Sequence, residues 1–471
     1  MARTLASLFA DFAANLAPGQ IPAAVRDAAL LHIVDTLGVC IAGASPREES
    51  GEIARRLAEK WRVRNGATVL GVGIEMRPEM AALLNGALAQ ALEMDDKHGS
   101  SLARPGSTVT PAVLAVAQAD DLPLRDAVTA VAVGYEVMIR LGFVAGERFL
   151  ERGYHTSSLL GAFGAAAAIG ALRRCASAEI GNALGIAGTF AAGIQEATRT
   201  GSTSKILHGG WAAHSGIAAL ELALAGITGP DSVFEGKFGF FNCFLTPIRG
   251  ELAFVRAADG IGSRWFLPET GFKPYPCCQL IHAFIEAAKQ MLVELRQDGV
   301  TLDMIEGVSC RLAEPGLTLV TEPKASKRAP SHAHEARFSL PFCLATTLVY
   351  GDVDIGSFRA ERMQDPRIRR IAALVEASED PDSDYPLHCP AILDISAGGR
   401  TYHRHVRHHP GCPEAALSKD DVLDKFARNT GWLLGAAARE IAGNLAAAAP
   451  SVAIRSLLGK IAAAAPEAEV G

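Results

Sequence analysis

The sequence lacks most of the features that would assign it at sight. Its nine cysteines, at 40, 175, 243, 277, 278, 310, 343, 389 and 412, form no CxxC and are odd in number. That argues against a disulfide framework and predicts a reducing, cytoplasmic setting with mostly buried thiols. The net charge is −6, with no basic run, no basic helix and no aromatic residues interleaved with basic ones. A nucleic-acid partner is therefore not expected. No apolar run approaches the roughly 20 residues of a membrane span. The nearest, "GAFGAAAAIGAL" (161–172), is too short, and its small residues suit close helix packing. At the N-terminus, Leu5, Leu8, Phe9, Phe12 and Leu16 recur at helical spacing and Asp11 interrupts the apolar face. That pattern reads as a helix rather than a signal peptide, so no membrane partner is expected. There is no P-loop, no G-x-S-x-G and no HExxH, and "GVGIEM" lacks the third glycine of a dinucleotide fingerprint.

What is present is globular: 49% hydrophobic and 20% charged residues over 471 positions, enough for two domains. Residues 1–267 read as helices rich in Ala and Gly, apart from a short extended piece, "ATVLGVG" (67–73). Glycine inside a helix costs about 1 kcal/mol against alanine. Its repeated use fits helices that pack backbone to backbone. After "LPETGFKPYPCCQLIHAFIEAAKQML" (267–292) the texture changes, and "GVSCRLAE" and "AILDISAGGRTYHRHV" alternate as strands do. "AGGR" is a hairpin turn signal. The expected fold is mainly α: a large all-helical domain, 1–267 and 408–471, with a smaller α/β domain, 268–407. "LSKDDVLDKFARNTG" (417–431) reads as a capped helix that rejoins the helical domain, and the tail "APEAEVG" as frayed.

Charge gathers in "EMDDKHGSSLARPGS", Glu93 to Ser107, between two Ala-rich segments. One reading is a helix end breaking into a solvated loop, with Glu93 and Lys97 spaced for an exposed ion pair. The other is a site for a polycarboxylate, using Glu93, Asp96, Lys97, His98 and Arg104. His155 precedes Thr156 and Ser157, residues of the helix N-cap type, and a helix N-terminus favours anions. Lys205 and His208 sit on a polar link between apolar helices, and Lys273 lies at the texture change beside Cys277 and Cys278. "HRHVRHHPGC" (403–412) is the one metal-like cluster. His403 and His405 share a strand face, but no second pair has structural-zinc spacing, so no metal is expected.

Taken in order, these pieces resemble the MmgE/PrpD family, which includes 2-methylcitrate dehydratase, cis-aconitate decarboxylase and iminodisuccinate epimerase. The resemblance covers most of the chain. It is carried by "HIVDTLGVCIAG", "NGALAQALEMDD", "GYHTSSLLGAFGAAAA", "NALGIAGTFAAG", "SKILHGGWAAHSG", "KPYPCCQLIHAFIEAA" and "EARFSLPFCLA". It implies a homodimer that works without a cofactor on a small polycarboxylate, starting with proton removal next to a carboxylate. His155, Lys205 and Lys273 fall on family active-site positions, and Asp95 and Asp96 keep the "DD" signature. Four positions depart from it. Glu93 stands for an aspartate, Lys97 for a threonine, Arg104 for a histidine and Phe342 for a tyrosine. The departures weaken a dehydratase or decarboxylase reading and favour an epimerase or racemase. Lys97, His155 and Lys205 are its expected acid–base groups. Glu93, Asp96, His98, Arg104 and Lys273 are its expected binding groups. A hydro-lyase and a non-catalytic polycarboxylate-binding protein are the alternatives.

Overall fold

The computed structural model describes residues 3–200, 202–248 and 250–464. The tail 465–471, expected to fray, lies outside the described residues. The fold is mainly α, with a smaller α/β part. Buried apolar side chains form two main clusters. One runs from Leu5 to Leu267 and resumes from Leu423 to Ile461. The other runs from Tyr275 to Val406.

The centre of the helical part is Leu124–Ala145, flanked by Thr156–Leu172, Val109–Ala119 and Ala23–Gly43. It starts after Pro123, carries Asp126 in its first turn and ends at Gly146, whose φ is +58°. By length and composition this helix could cross a membrane, although polar residues interrupt its apolar run in the sequence; its most apolar window is wholly buried inside the protein. A helix apolar all round belongs in a core.

Helical glycines mark close backbone contacts. A Cβ on Gly210, in helix Leu207–Leu224, would lie 1.9 Å from the Leu83 carbonyl of helix Pro78–Ala91. Gly134 and Gly164 each meet the other's carbonyl oxygen, at 2.8 and 2.9 Å. At these positions the helix-propensity cost is what permits the packing.

The smaller part has a four-stranded sheet in the order Val375–Glu379, Ile305–Leu312, Ala391–Ala397, Arg400–Val406. The first pair is parallel and the others antiparallel. "AGGR" is the expected hairpin turn, with φ +57° at Gly398 and +72° at Gly399. Helix His282–Gln297 packs on this sheet. Helix Lys419–Leu434 begins with a capping box, in which Ser418 Oγ accepts from Asp421 N at 3.2 Å and Asp421 Oδ2 from Ser418 N at 2.9 Å. It packs against Ala23–Gly43. One connection matters most for the site. Lys97–His98 forms a two-residue antiparallel bridge with Thr270–Gly271, so the charged stretch is tied to the link between the two parts of the fold.

Candidate active site

The stretch from Glu93 to Ser107 is not a solvated loop: Glu93, Asp95, Asp96, Lys97, His98 and Arg104 are all buried or nearly so. Helix Pro78–Ala91 ends just before Glu93, which takes a left-handed φ of +55°. That conformation costs a non-glycine residue roughly 1–2 kcal/mol. Three lysine contacts hold it there. Lys205 Nζ donates to Glu93 Oε1. Lys273 Nζ lies 3.6 Å from Glu93 Oε2 and donates to the Glu93 carbonyl at 3.1 Å. Burial would raise the Glu93 carboxyl pKa, but Lys205, Lys273 and Arg104 outweigh it and hold it well below the usual range. From below, Lys425 Nζ pairs with Asp35 Oδ1 at 2.8 Å and donates to the Met94 carbonyl at 3.1 Å. The closing helix therefore braces the turn that carries the site.

Side-chain alternation sorts the residues that follow. Asp96 turns into the helical core. Tyr135 Oη donates to its Oδ2 at 2.6 Å, His32 Nδ1 stands 2.8 Å from the same oxygen, and Gly106 N donates to Oδ1 at 2.8 Å. His98 sits against Phe143 and Phe266, with Nδ1 on Ser101 Oγ at 2.8 Å and Nε2 3.8 Å from Glu269. Asp96 and His98, both expected to bind substrate, instead anchor the loop. Successive residues of an extended segment face opposite ways, and Lys97 takes the other side.

Lys97 is buried and makes no ion pair or hydrogen bond among the described residues. Burial lowers its pKa; Cys389 and, less so, Cys278 oppose that, while Arg104 and Lys273 add to it. Arg104 Nη1 lies 3.0 Å from His155 Nε2, and His155 Nδ1 lies 3.0 Å from His208 Nδ1. A guanidinium only donates, so His155 Nε2 accepts and its proton sits on Nδ1, which donates to His208. Burial, then Lys205, Arg104 and His208, push His155 well below its ordinary range, and burial with Lys205 brings His208 to about 4. His155 is the N-cap of helix Thr156–Leu172. The hydroxyls of Thr156, Ser157 and Ser158 beside it are buried and have no protein hydrogen-bond partner.

Glu93, Lys205, Lys273, Arg104 and His155 thus form one contiguous network, with Lys97 close enough to Arg104 and Lys273 to feel their charge. The sequence reading left Asp95 out of the binding set. It lies 3.6 Å from Lys273 and accepts from Ser107 Oγ at 3.1 Å. His208 also belongs to the network, and its position three residues after Lys205 was the available signal. Tyr385 and His334 gave no such signal. Tyr385 helps to line a cavity of about 850 Å³ beside the network, with Phe338 and His334. Lys205 lies over the Phe338 ring, 5.1 Å from its centroid. Lys97 lines a second, smaller pocket with Cys389 and His409. Phe342, at the position expected to bear a tyrosine, packs into the core of the smaller part, its ring 5.8 Å from Phe358.

This arrangement suits an anionic ligand: fixed cations, a neutral imidazole and free hydroxyls at a helix start. The family model for the MmgE/PrpD N-terminal domain matches residues 7–251, and that for the C-terminal domain matches residues 275–448. A cis-aconitate decarboxylase-like protein of Aspergillus oryzae is 24% identical, over 89% of each chain. A cis-aconitate decarboxylase of Aspergillus terreus is 30% identical over 59% of this chain and 58% of its own. The cis-aconitate decarboxylase of Homo sapiens is 28% identical over 92% of this chain and 89% of its own.

Proposed function

The chain belongs to the MmgE/PrpD family, and on that premise we propose that it is an epimerase or racemase that moves a proton at the carbon next to a carboxylate of a small polycarboxylate. The observation that carries this reading is the difference among the three lysines. Lys205 and Lys273 are ion-paired to Glu93, whereas Lys97 is buried with no ion-pair partner among the described residues, Glu147 being near enough only to feel its charge. A desolvated lysine near other cations gives up its proton readily and becomes a base.

In this mechanism Lys97 Nζ takes the proton next to the carboxylate. The carboxylate carries the resulting enediolate charge beside Arg104, a bidentate donor that keeps its own proton. Lys205, whose pKa burial lowers and whose proton ionised Glu93 helps to hold, returns a proton to the carbon. His155 serves as a neutral, oriented hydrogen-bonding group, because Arg104 occupies its Nε2. Nothing leaves the substrate, so proton-transfer groups and fixed cations suffice. An iminodisuccinate-like compound, with four carboxylates, suits so cationic a site.

A second reading is lyase chemistry. The names of the relatives favour it, and so does Tyr385, a hydroxyl in the cavity wall that Phe342 does not supply. Incubating di- to tetracarboxylates with the protein in D2O, followed by NMR, separates the two. Epimerisation gives deuterium at the carbon next to a carboxylate and loss of optical rotation, with no new C=C and no CO2. A new C=C absorbance or released CO2 would replace the epimerase reading with the lyase one. No exchange, no new C=C and no CO2 on any member of the series would remove both.

A further inference from the structure

We propose a zinc-class divalent metal site at His388, His408 and Glu414, on the surface beside the Lys97 pocket. The three side chains come from two separate segments. His388 lies on the loop between strands Val375–Glu379 and Ala391–Ala397, and His408 and Glu414 follow strand Arg400–Val406. One ligand atom from each falls within 4.8 Å of the others. His388 Nε2 is 3.1 Å from Glu414 Oε1, and His408 Nδ1 is 3.8 Å from Glu414 Oε2. Zinc bonds of about 2.0–2.1 Å give tetrahedral ligand–ligand edges of roughly 3.3 Å. The two measured separations, one to each oxygen of the Glu414 carboxylate, lie within about 0.5 Å of that edge.

Two further observations point to a metal rather than a chance ion pair. First, His388 Nδ1 is held by Asp384 Oδ2 at 2.6 Å, and Arg407 Nη2 donates to that same oxygen at 3.0 Å. A carboxylate on one ring nitrogen fixes the tautomer and presents the other nitrogen as a ligand, the usual outer shell of a metal-bound histidine. Second, His408 Nδ1 is buried and has no hydrogen-bond partner, although its ring packs edge-on to His388 with centroids 4.6 Å apart. Two imidazoles and a carboxylate with the fourth position open to water suit Zn²⁺ better than Mg²⁺ or Ca²⁺.

The ion would join two segments that wall the Lys97 pocket. His388 and Cys389 line it from one segment, and Arg407, His409 and Cys412 from the other. Tyr385, on the first, reaches the larger cavity. Zinc would thereby hold that wall in one arrangement, whatever reaction the site performs. The His-rich run 403–412, where no metal was expected, supplies His408 but not the other two ligands. His403 is engaged by Asp394 at 2.6 Å, and the second imidazole comes from His388, outside the run.

The test is titration of the full, metal-free chain with Co²⁺, read by visible absorption, and with Zn²⁺ by equilibrium dialysis. One equivalent should bind, Zn²⁺ should displace Co²⁺, and the thermal midpoint should rise on binding. His408→Ala and Glu414→Gln should each weaken binding at least 100-fold, Asp384→Asn roughly 10- to 100-fold, and His403→Ala should leave it unchanged. Glu414 is partly exposed, so Glu414→Gln gives the decisive result if His408→Ala fails to fold. Unchanged stoichiometry and affinity in Glu414→Gln, or no Zn²⁺ bound by the unmutated chain, would overturn the assignment.

Discussion

Replacing Lys97 with methionine separates the roles this residue could have. If Lys97 is the base, its loss removes the roughly 10²–10⁴-fold that a positioned proton acceptor contributes, and the fall is in kcat. If it only holds a carboxylate, the loss is about 1.5–3 kcal/mol of charge-assisted hydrogen bonding, roughly 10- to 150-fold, and mostly in KM. We expect the first pattern, because burial lowers the Lys97 pKa and no described residue forms an ion pair with it. Methionine matches the lysine stem in length and needs no desolvation of charge, so the inactive variant should also be the more stable one. In a chain of this size each kcal/mol gained raises the midpoint by roughly 1 °C. The pH dependence has a fixed sign. Below the folded pKa of Lys97 the protein buries a charge. Between that value and the ordinary lysine value of 10.5 the unfolded chain binds the extra proton, so wild-type stability rises with pH across the window. The stability advantage of Lys97→Met should therefore be largest at low pH and fade towards 10.5, while wild-type kcat/KM should climb as Lys97 loses its proton. Polarimetry and NMR exchange give the rates, and thermal melts across pH give the stabilities. A variant that keeps kcat within tenfold of wild type while KM rises would refute the base assignment.

Glu93→Gln leaves Lys205 and Lys273 without their shared counter-charge. Breaking such a buried pair costs about 3–5 kcal/mol, which denaturant melts would show. Because the Glu93 carboxyl is held below its ordinary range, the wild-type advantage should be complete above that range and be lost as pH falls through the folded value. Arg104→Ala should raise KM more than it lowers kcat. It should also let His155 titrate nearer its ordinary range, visible as an imidazole NMR shift, because Arg104 is one of the charges that depress it. Asp96→Asn should destabilise the fold by disturbing its contacts with Tyr135, His32 and Gly106. His98→Ala should leave KM for any polycarboxylate near the wild-type value; a large rise would return His98 to the binding surface.

The helices were legible because Leu, Ala and Val recur at helical spacing, and the hairpin at 398–399 because two glycines flanked by alternating residues have few other uses. The edge strand Val375–Glu379 was not, since "VEASE" is mostly exposed and gives no apolar alternation. At the site, residue types were legible but directions were not. Asp96 and His98 lie beside Lys97 in sequence, and a bridge to Thr270–Gly271 turns His98 away from it. Nothing local in the chain announces that pairing. Tyr385 lies on a polar loop of the smaller part and reaches the cavity only through the packing of the two parts. Phe342 shows the reverse. Its substitution looked like the loss of a site hydroxyl, yet its ring packs against Phe358 in the core.

The double variant Lys97→Thr with Arg104→His tests the central claim most directly, because it restores the residue types the family carries at both positions. Assayed in D2O against the substrate found by the polycarboxylate screen, it should lose exchange at the carbon next to the carboxylate by at least 100-fold while still binding that substrate. Exchange and epimerisation at near wild-type rates in that variant would contradict the account, and would show that Lys97 does not perform the proton transfer and that Arg104 is not needed to support it.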